Sequence, residues 1–156
     1  MKIALASDHA GFDLKAAIGP FLAGRGIDFT DFGSQAGEAV DYVDLGEAAA
    51  ASVVAGGHDR AILVCGTGMG MSIVANKLPG IRATVCWNAY TAEMSRRHND
   101  SNCLALGGRV LTLDEGLAIV RIWLDTPFEG GRHQRRLDKI RAVEERRCGG
   151  RNAAKI

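Results

Sequence analysis

A chain of 156 residues with 47 % hydrophobic and 24 % charged residues has the balance of one globular domain, long enough to bury a real core. A formal net charge of +1 excludes binding of a polyanion by bulk charge. No apolar run reaches the ~18 residues that a membrane helix needs, so neither a nucleic-acid nor a membrane partner is expected. The apolar stretch of the N-terminus stops at Asp8, short of a secretory signal, and a cytoplasmic location is expected.

Lys2–Ser7 is a short apolar run ended by Asp8-His9-Ala10-Gly11, a buried strand followed by a loop. Leu14, Ile18, Phe21 and Leu22 recur at helical spacing until Gly24-Arg25-Gly26. Residues 27–32 form a second strand, closed by Gly33-Ser34, and a loop through Gly37 and Asp41-Tyr42 leads to an Ala-rich helix over 45–54. Residues 61–65 are a third strand, apolar throughout and so buried on both faces. After 66–70 a helix begins over 72–77 and stops at Pro79-Gly80. A fourth strand over 82–87, a helix over 89–97 and a polar loop, His98-Asn99-Asp100-Ser101-Asn102, come next. A fifth strand over 103–106 ends at Gly107-Gly108, a helix covers 115–124, and Leu137, Ile140 and Val143 mark a final amphipathic helix.

Alternating strands and helices predict a three-layer α/β/α, Rossmann-like fold with a five-stranded parallel sheet. One domain over 1–147 is expected, with 148–156 as a disordered tail. Right-handed crossovers place the loops after the strands on the carboxyl edge, where α/β proteins bind ligands. Asp8-His9, Gly33-Ser34, 65–70, Trp87-Asn88 and 107–109 all fall there.

Of the four cysteines, Cys65, Cys86, Cys103 and Cys148, none makes a Cys-x-x-Cys pair, so neither a structural zinc site nor a disulfide framework is expected. Cys86 and Cys103 lie in apolar runs and read as small buried hydrophobes. Cys65 differs, because it opens Cys65-Gly66-Thr67-Gly68-Met69-Gly70-Met71-Ser72 between a strand and a helix. Glycines there let backbone approach a ligand, and amides at a helix start favour negative charge. The same field favours a thiolate, hence a base or nucleophile.

A dinucleotide loop would need Gly-x-Gly-x-x-Gly and an acidic end to the next strand, which here ends Trp87-Asn88. A P-loop would need a lysine earlier than Lys77, and a cysteine phosphatase an arginine where Met71 stands. Asp8-His9 pairs a carboxylate with an imidazole, although Asp8 also suits a helix cap. His98 is a candidate acid/base in a polar loop on the ligand-binding edge, while His58 and His133 have weaker cases. Arg132 and Arg136, four apart, put two guanidiniums on one helix face, suited to a phosphate or carboxylate. Cations at a helix start oppose its dipole, which favours a functional reason for them.

As an ordered set, Ser-Asp-His-Ala-Gly-Phe from Ser7, Asp41-Tyr42, Cys65-Gly-Thr-Gly-x-Gly, Asn76-Lys77, Gly80-Ile-Arg-Ala, Ser95-Arg-x-His-Asn-Asp, the run from Gly107 to Val110 and Gly130-Gly-Arg-His-Gln-x-Arg resemble the type B ribose-5-phosphate isomerases. These belong with allose- and galactose-6-phosphate isomerases in one superfamily, and the resemblance runs from Lys2 to about Arg147. It implies D-ribose 5-phosphate and D-ribulose 5-phosphate as substrates, interconverted through a cis-enediolate in the non-oxidative pentose phosphate pathway. Cys65 would be the base between C2 and C1, and Thr67 with the amides of Gly66, Gly68, Met69 and Gly70 would hold the enediolate oxygens. His98 would open the furanose ring; Asp8 and Tyr42 would contact the sugar; His9, Arg132 and Arg136 would bind the phosphate, with Asn99 and Arg109 also at the site. A homodimer with the site between subunits is implied, a tetramer being the alternative, with no cofactor and no metal.

Two departures from the family pattern stand out. A glutamate base found in one branch is replaced by Met71, leaving Cys65 as the base, and the usual Asp-Tyr-Pro reads Asp41-Tyr42-Val43 beside the substrate. The same chemistry on allose 6-phosphate or a tetrulose 4-phosphate stays open, as does a non-catalytic anion- or nucleotide-binding module.

Overall fold

The computed structural model describes residues 1–35 and 40–149, the side chains of 148 and 149 excepted. Gly37 in the expected loop and residues 150–156 of the expected tail lie outside the described residues. Five strands, β1 (Lys2–Ser7), β2 (Asp28–Asp31), β3 (Arg60–Cys65), β4 (Ala83–Val85) and β5 (Cys103–Gly107), form one parallel sheet in the order β2-β1-β3-β5-β4. The three central strands are the continuous apolar runs, because helices cover both their faces.

The edge strands are shorter than the expected 27–32 and 82–87, because each has one neighbour and its ladder stops early. β2 pairs from Lys2↔Asp28 to Leu5↔Asp31, and β4 holds only three register pairs with β5. Single bonds carry each edge a residue further, Phe32 N to Leu5 O (2.7 Å) and Cys86 N to Ala105 O (3.1 Å).

Among the described residues there are six α-helices: α1 (Phe12–Gly24), α2 (Tyr42–Val54), α3 (Met69–Ala75), α4 (Ala89–Asn99), α5 (Leu113–Asp125) and α6 (Arg132–Gly149). The two-residue period of β1 sorts the layers. Ile3 and Leu5 pack with Leu14, Ile18, Leu22, Ile119 and Trp123 of α1 and α5, while Ala4 and Ala6 pack with Ala49, Ala50, Met71 and Ala75 of α2 and α3. On this second face α2 and α3 also meet each other, and a Cβ on Gly46 would make ordinary contact with Met71 Cγ at 3.5 Å. The expected three-layer α/β/α fold is therefore the one observed.

α2 begins at Tyr42 rather than 45, because Asp41 caps it by accepting from Val43 N (2.9 Å). α3 starts at Met69, three residues before the expected 72. α6 lies outside both layers against α4; of its expected apolar stripe only Leu137 is buried, and Ile140 and Val143 stay 44 % and 49 % exposed.

The last turn of α4 is clamped. Asp100 caps it at φ 43, the one left-handed non-glycine among the described residues. Its carboxylate accepts from Arg96 Nη1 (2.8 Å) and from Arg82 Nη2 (3.0 Å), and Arg82 also donates to the carbonyls of Asn99 (3.0 Å) and Asp100 (2.7 Å). Arg96, 4 % exposed, donates to Ser101 O as well (2.6 Å). Its guanidinium and that of Arg60 both lie against the ring of Trp123, whose Nε1 donates to Ser101 Oγ (2.7 Å). Asp100→Ala leaves a buried guanidinium short of its carboxylate and puts a residue without a local polar partner at positive φ. It is expected to lower unfolding stability by about 2 kcal/mol in urea titrations, more than Asp100→Asn. An unchanged midpoint for both would remove the clamp's stabilising role.

Candidate active site

β1 lies beside β3 in the sheet, yet the chain leaves them for opposite faces: β1 leads to α1 and β3 to α3. A crevice opens where adjacent strands part in this way. The loop after β5 returns to the α1 face and closes the third side.

These three loops pack backbone against backbone. Asp8 N donates to Val64 O (3.2 Å), Gly108 N to Cys65 O (2.8 Å) and Arg109 N to Gly66 O (3.1 Å). A Cβ on Gly11 would sit 2.5 Å from Val64 O, one on Gly108 2.6 Å from Ala10 O, and one on Gly107 3.0 Å from the Thr67 backbone. Gly68 combines φ +81 with backbone of Leu106 at 3.0 Å, so conformation and space both exclude a side chain.

Cys65 is the last ladder residue of β3, opposite Gly107, and is 5 % exposed. The N–H of Gly68 donates to its Sγ at 3.2 Å. Thr67 and Met69 are exposed beside it, and Thr67 Oγ1 accepts from Met69 N (3.4 Å). The ring of Tyr42 lies on Gly70, 2.6 Å from where a Cβ would be, and Arg109 lies 3.5 Å from the same point on Gly66. Asp8 is buried and caps the 3-10 turn His9–Gly11, its Oδ1 accepting from Ala10 N (2.9 Å) and Gly11 N (3.0 Å), while His9 is exposed. Ten expected site residues thus gather on one edge: Asp8, His9, Tyr42, Cys65, Gly66, Thr67, Gly68, Met69, Gly70 and Arg109.

The other four do not. His98 and Asn99 are not in a loop on the carboxyl edge; they form the last turn of α4, which runs antiparallel to the strands and ends at their amino edge. The Asn99 carbonyl accepts from Arg82 just before β4, and Asn102 O accepts from Ala61 N at the start of β3. The full length of β5, about 13 Å at strand rise, separates that turn from Gly107. The first turn of α6 brings Arg132 to His98, since His133 next to it stacks on the His98 ring with centroids 4.2 Å apart and planes 5° apart. Arg136 is one turn on, and both arginines are exposed.

Glu129 and His133 join this second group, which sequence reading missed because 30 or more residues separate them from His98. Glu129 Oε2 lies 3.8 Å from His98 Nε2 and 3.4 Å from Arg97 Nε. Burial, with His98 and Arg132 nearby, holds the His133 pKa below the ordinary histidine value. His98, Glu129 and His133 bring ligand atoms within 4.8 Å of one another. Parallel stacked rings aim their in-plane lone pairs side by side rather than at one ion, and Arg97 and Arg132 repel a cation there, so the group fits an anion's surroundings better. No described helix is long and apolar enough to cross a membrane.

Residues 3–140 match the model of a family described as Ribose/Galactose Isomerase. The chain is 48 % identical to the ribose-5-phosphate isomerase B of Escherichia coli, over 94 % of this chain and 98 % of that protein. It is 40 % identical to a D-erythrulose-4-phosphate isomerase of Pectobacterium atrosepticum, over 90 % and 93 % of the two chains. A solved structure of ribose-5-phosphate isomerase B from Clostridium thermocellum superposes with TM-score 0.92 at 53 % identity, covering 94 % of this chain and 99 % of that one.

Burial pushes the Cys86 and Cys103 thiols up, and both are 1 % exposed or less, whereas Cys65 keeps 5 % exposure at the carboxyl end of β3. Brief iodoacetamide treatment at neutral pH followed by peptide mapping is expected to label Cys65 before either of them. Labelling of Cys86 or Cys103 first would contradict that order.

Proposed function

Since the chain belongs to the Ribose/Galactose Isomerase family, we propose that it interconverts D-ribose 5-phosphate and D-ribulose 5-phosphate through a cis-enediolate, with Cys65 as the base. It is an aldose–ketose isomerase. The observation that carries the residue roles is the placement of Cys65, with an amide on its sulfur, in a crevice flanked by Asp8, Tyr42 and Arg109.

The Cys65 thiolate removes the proton from C2 of the open-chain aldose, and the electron pair moves into a C1–C2 double bond while O1 becomes the enediolate oxygen. The hydroxyl proton of O2 passes to O1, and the thiol returns its proton to C1 as the carbonyl forms at C2. Thr67 and the amides from Gly66 to Gly70 hold the enediolate oxygens, which carry charge only as the proton leaves. Asp8 and Tyr42 contact the sugar. His98 opens the furanose ring by moving a proton between the anomeric hydroxyl and the ring oxygen, with Asn99 alongside. His9, Arg132 and Arg136 bind the phosphate.

Within one chain Cys65 and His98 lie at opposite edges of the sheet, so the scheme needs a second copy. A homodimer in which each carboxyl edge meets the partner's amino edge supplies two complete sites. Apolar residues exposed near both groups, Met69 and Ile73 on one and Ile140 and Val143 on the other, support that contact. Cytoplasmic residence fits a phosphorylated sugar substrate.

The Pectobacterium relative favours one second reading, the same chemistry on a four-carbon sugar phosphate. Val43 in place of proline borders the same space. Turnover of phosphorylated four-, five- and six-carbon sugars separates the readings: highest kcat/KM on the five-carbon pair supports the leading one, and on the tetrulose 4-phosphate the other.

Cys65→Ser is expected to keep substrate affinity while kcat falls by about 10²–10⁴-fold, the usual share of a positioned proton-transfer group. Near-normal turnover would remove Cys65 as base. D-ribulose 5-phosphate cannot close a furanose ring, because its 5-hydroxyl is esterified. His98→Asn is therefore expected to slow isomerisation of D-ribose 5-phosphate far more than exchange of the ketose C1 hydrogen with solvent deuterium, read by NMR. Equal losses would end the ring-opening role. Refolding Cys65→Ser together with Arg132→Ala, each nearly inactive, is expected to recover about a quarter of wild-type activity, since half of a random mixture is heterodimer with one intact site. No recovery would place both residues in one chain's site.

A further inference from the structure

His133 is not among the residues assigned a role above, and its surroundings are unusual for a side chain that only fills space. It is 2 % exposed, in the first turn of α6. One face lies flat on the ring of His98, 4.2 Å between centroids. Its Nε2 faces Arg132 Nε at 3.3 Å. Arginine only donates, so Nε2 is the acceptor and the neutral ring carries its proton on Nδ1. That Nδ1 is buried with no hydrogen-bond partner among the described residues. An orphaned buried donor is costly, and a phenylalanine would fill the same space without it. What histidine supplies and phenylalanine does not is the acceptor for Arg132.

His98 needs such support. It is in the last turn of α4, its side chain 36 % exposed, with Glu129 Oε2 3.8 Å from Nε2 at one edge of the ring. Its ring plane is set by the His133 face. Arg132 is an exposed arginine at a helix start, where the dipole repels it, and among the described residues its guanidinium is held by His133 alone.

We propose that His133 is a positioning residue with two separable duties: its ring face holds His98 for opening the sugar ring, and its Nε2 holds the Arg132 guanidinium for the substrate phosphate. This rests on the roles proposed above for His98 and Arg132.

The two duties come apart in two variants of the full-length enzyme. His133→Phe keeps an aromatic face and loses the acceptor. It is expected to raise KM for D-ribose 5-phosphate by about tenfold, while the ratio of isomerisation to C1-hydrogen exchange stays at the wild-type value. His133→Gln keeps an amide oxygen as acceptor and loses the stack. It is expected to leave KM within about twofold and to lower isomerisation of the cyclic aldose about tenfold relative to exchange. A variant–variant cycle guards against misfolding: Arg132→Lys removes the Nε donor, and adding His133→Phe to it is expected to raise KM no further. Two variants that lower both reactions equally at unchanged KM, or a double variant whose KM effects multiply, would overturn the proposal. Failure of the underlying roles looks different, because His98→Asn would then spare the isomerisation-to-exchange ratio and Arg132→Lys would spare KM in an otherwise normal His133 background.

Discussion

Everything at the crevice depends on three loops lying closer together than side chains permit. Gly11 rests on the carbonyl of Val64, Gly108 on that of Ala10, and Gly107 on the backbone of Thr67. With these contacts made, Gly108 N and Arg109 N reach the carbonyls of Cys65 and Gly66 and tie the loop after β3 to the loop after β5. In the same loop Gly68 N–H points to the Cys65 sulfur and the ring of Tyr42 lies on Gly70. An amide held in place before charge develops stabilises it without reorganisation, which is the property an enediolate site requires. The glycines of these three loops thus serve the packing of the strand ends as much as any approach to a ligand.

A second constraint works at the far edge of the sheet. The turn that ends α4 carries His98 and Asn99 into solvent, and a helix end with exposed side chains would ordinarily fray. Two arginines prevent this. Arg96 reaches Asp100 from inside the layer and Arg82 from the start of β4, so the left-handed residue is gripped from both elements. Trp123 beneath, bonded to Ser101, ties the turn to α5. The energetic weight of the clamp falls on Arg96, which is buried and needs its carboxylate, rather than on the half-exposed Arg82 pair.

The separation of the two edges follows from the right-handed crossover alone. A helix between parallel strands runs back along the sheet, so residues at its start and end belong to opposite edges. Cys65 ends a strand and His98 ends a helix, so within one chain they stand at opposite edges of the sheet. The proposed pairing of two copies answers this separation, and apolar residues stand exposed on both α3 and α6.

Much of this was legible in the residues. The alternation of apolar runs and helical stripes was enough for the five parallel strands, the three layers and the crevice-side loops, because burial on both faces leaves a continuous signature in β1, β3 and β5. Cys65 with its glycines stood out for the same local reason. The edge strands read too long, since apolar character says nothing of how far a neighbour's ladder extends. His98 read as a loop residue because His-Asn-Asp-Ser-Asn is polar, and polarity cannot distinguish a loop from the exposed last turn of a helix held by buried arginines. Its pairing with Glu129 and His133 had no local signal at all. Sequence by itself determined what repeats along the chain: which segments are strand, which helix, and which glycines sit at strand ends. Tertiary structure alone decided which chemical groups share a place, because stacking of His133 on His98, and the parting of both from Cys65, arise from how distant segments cross the sheet.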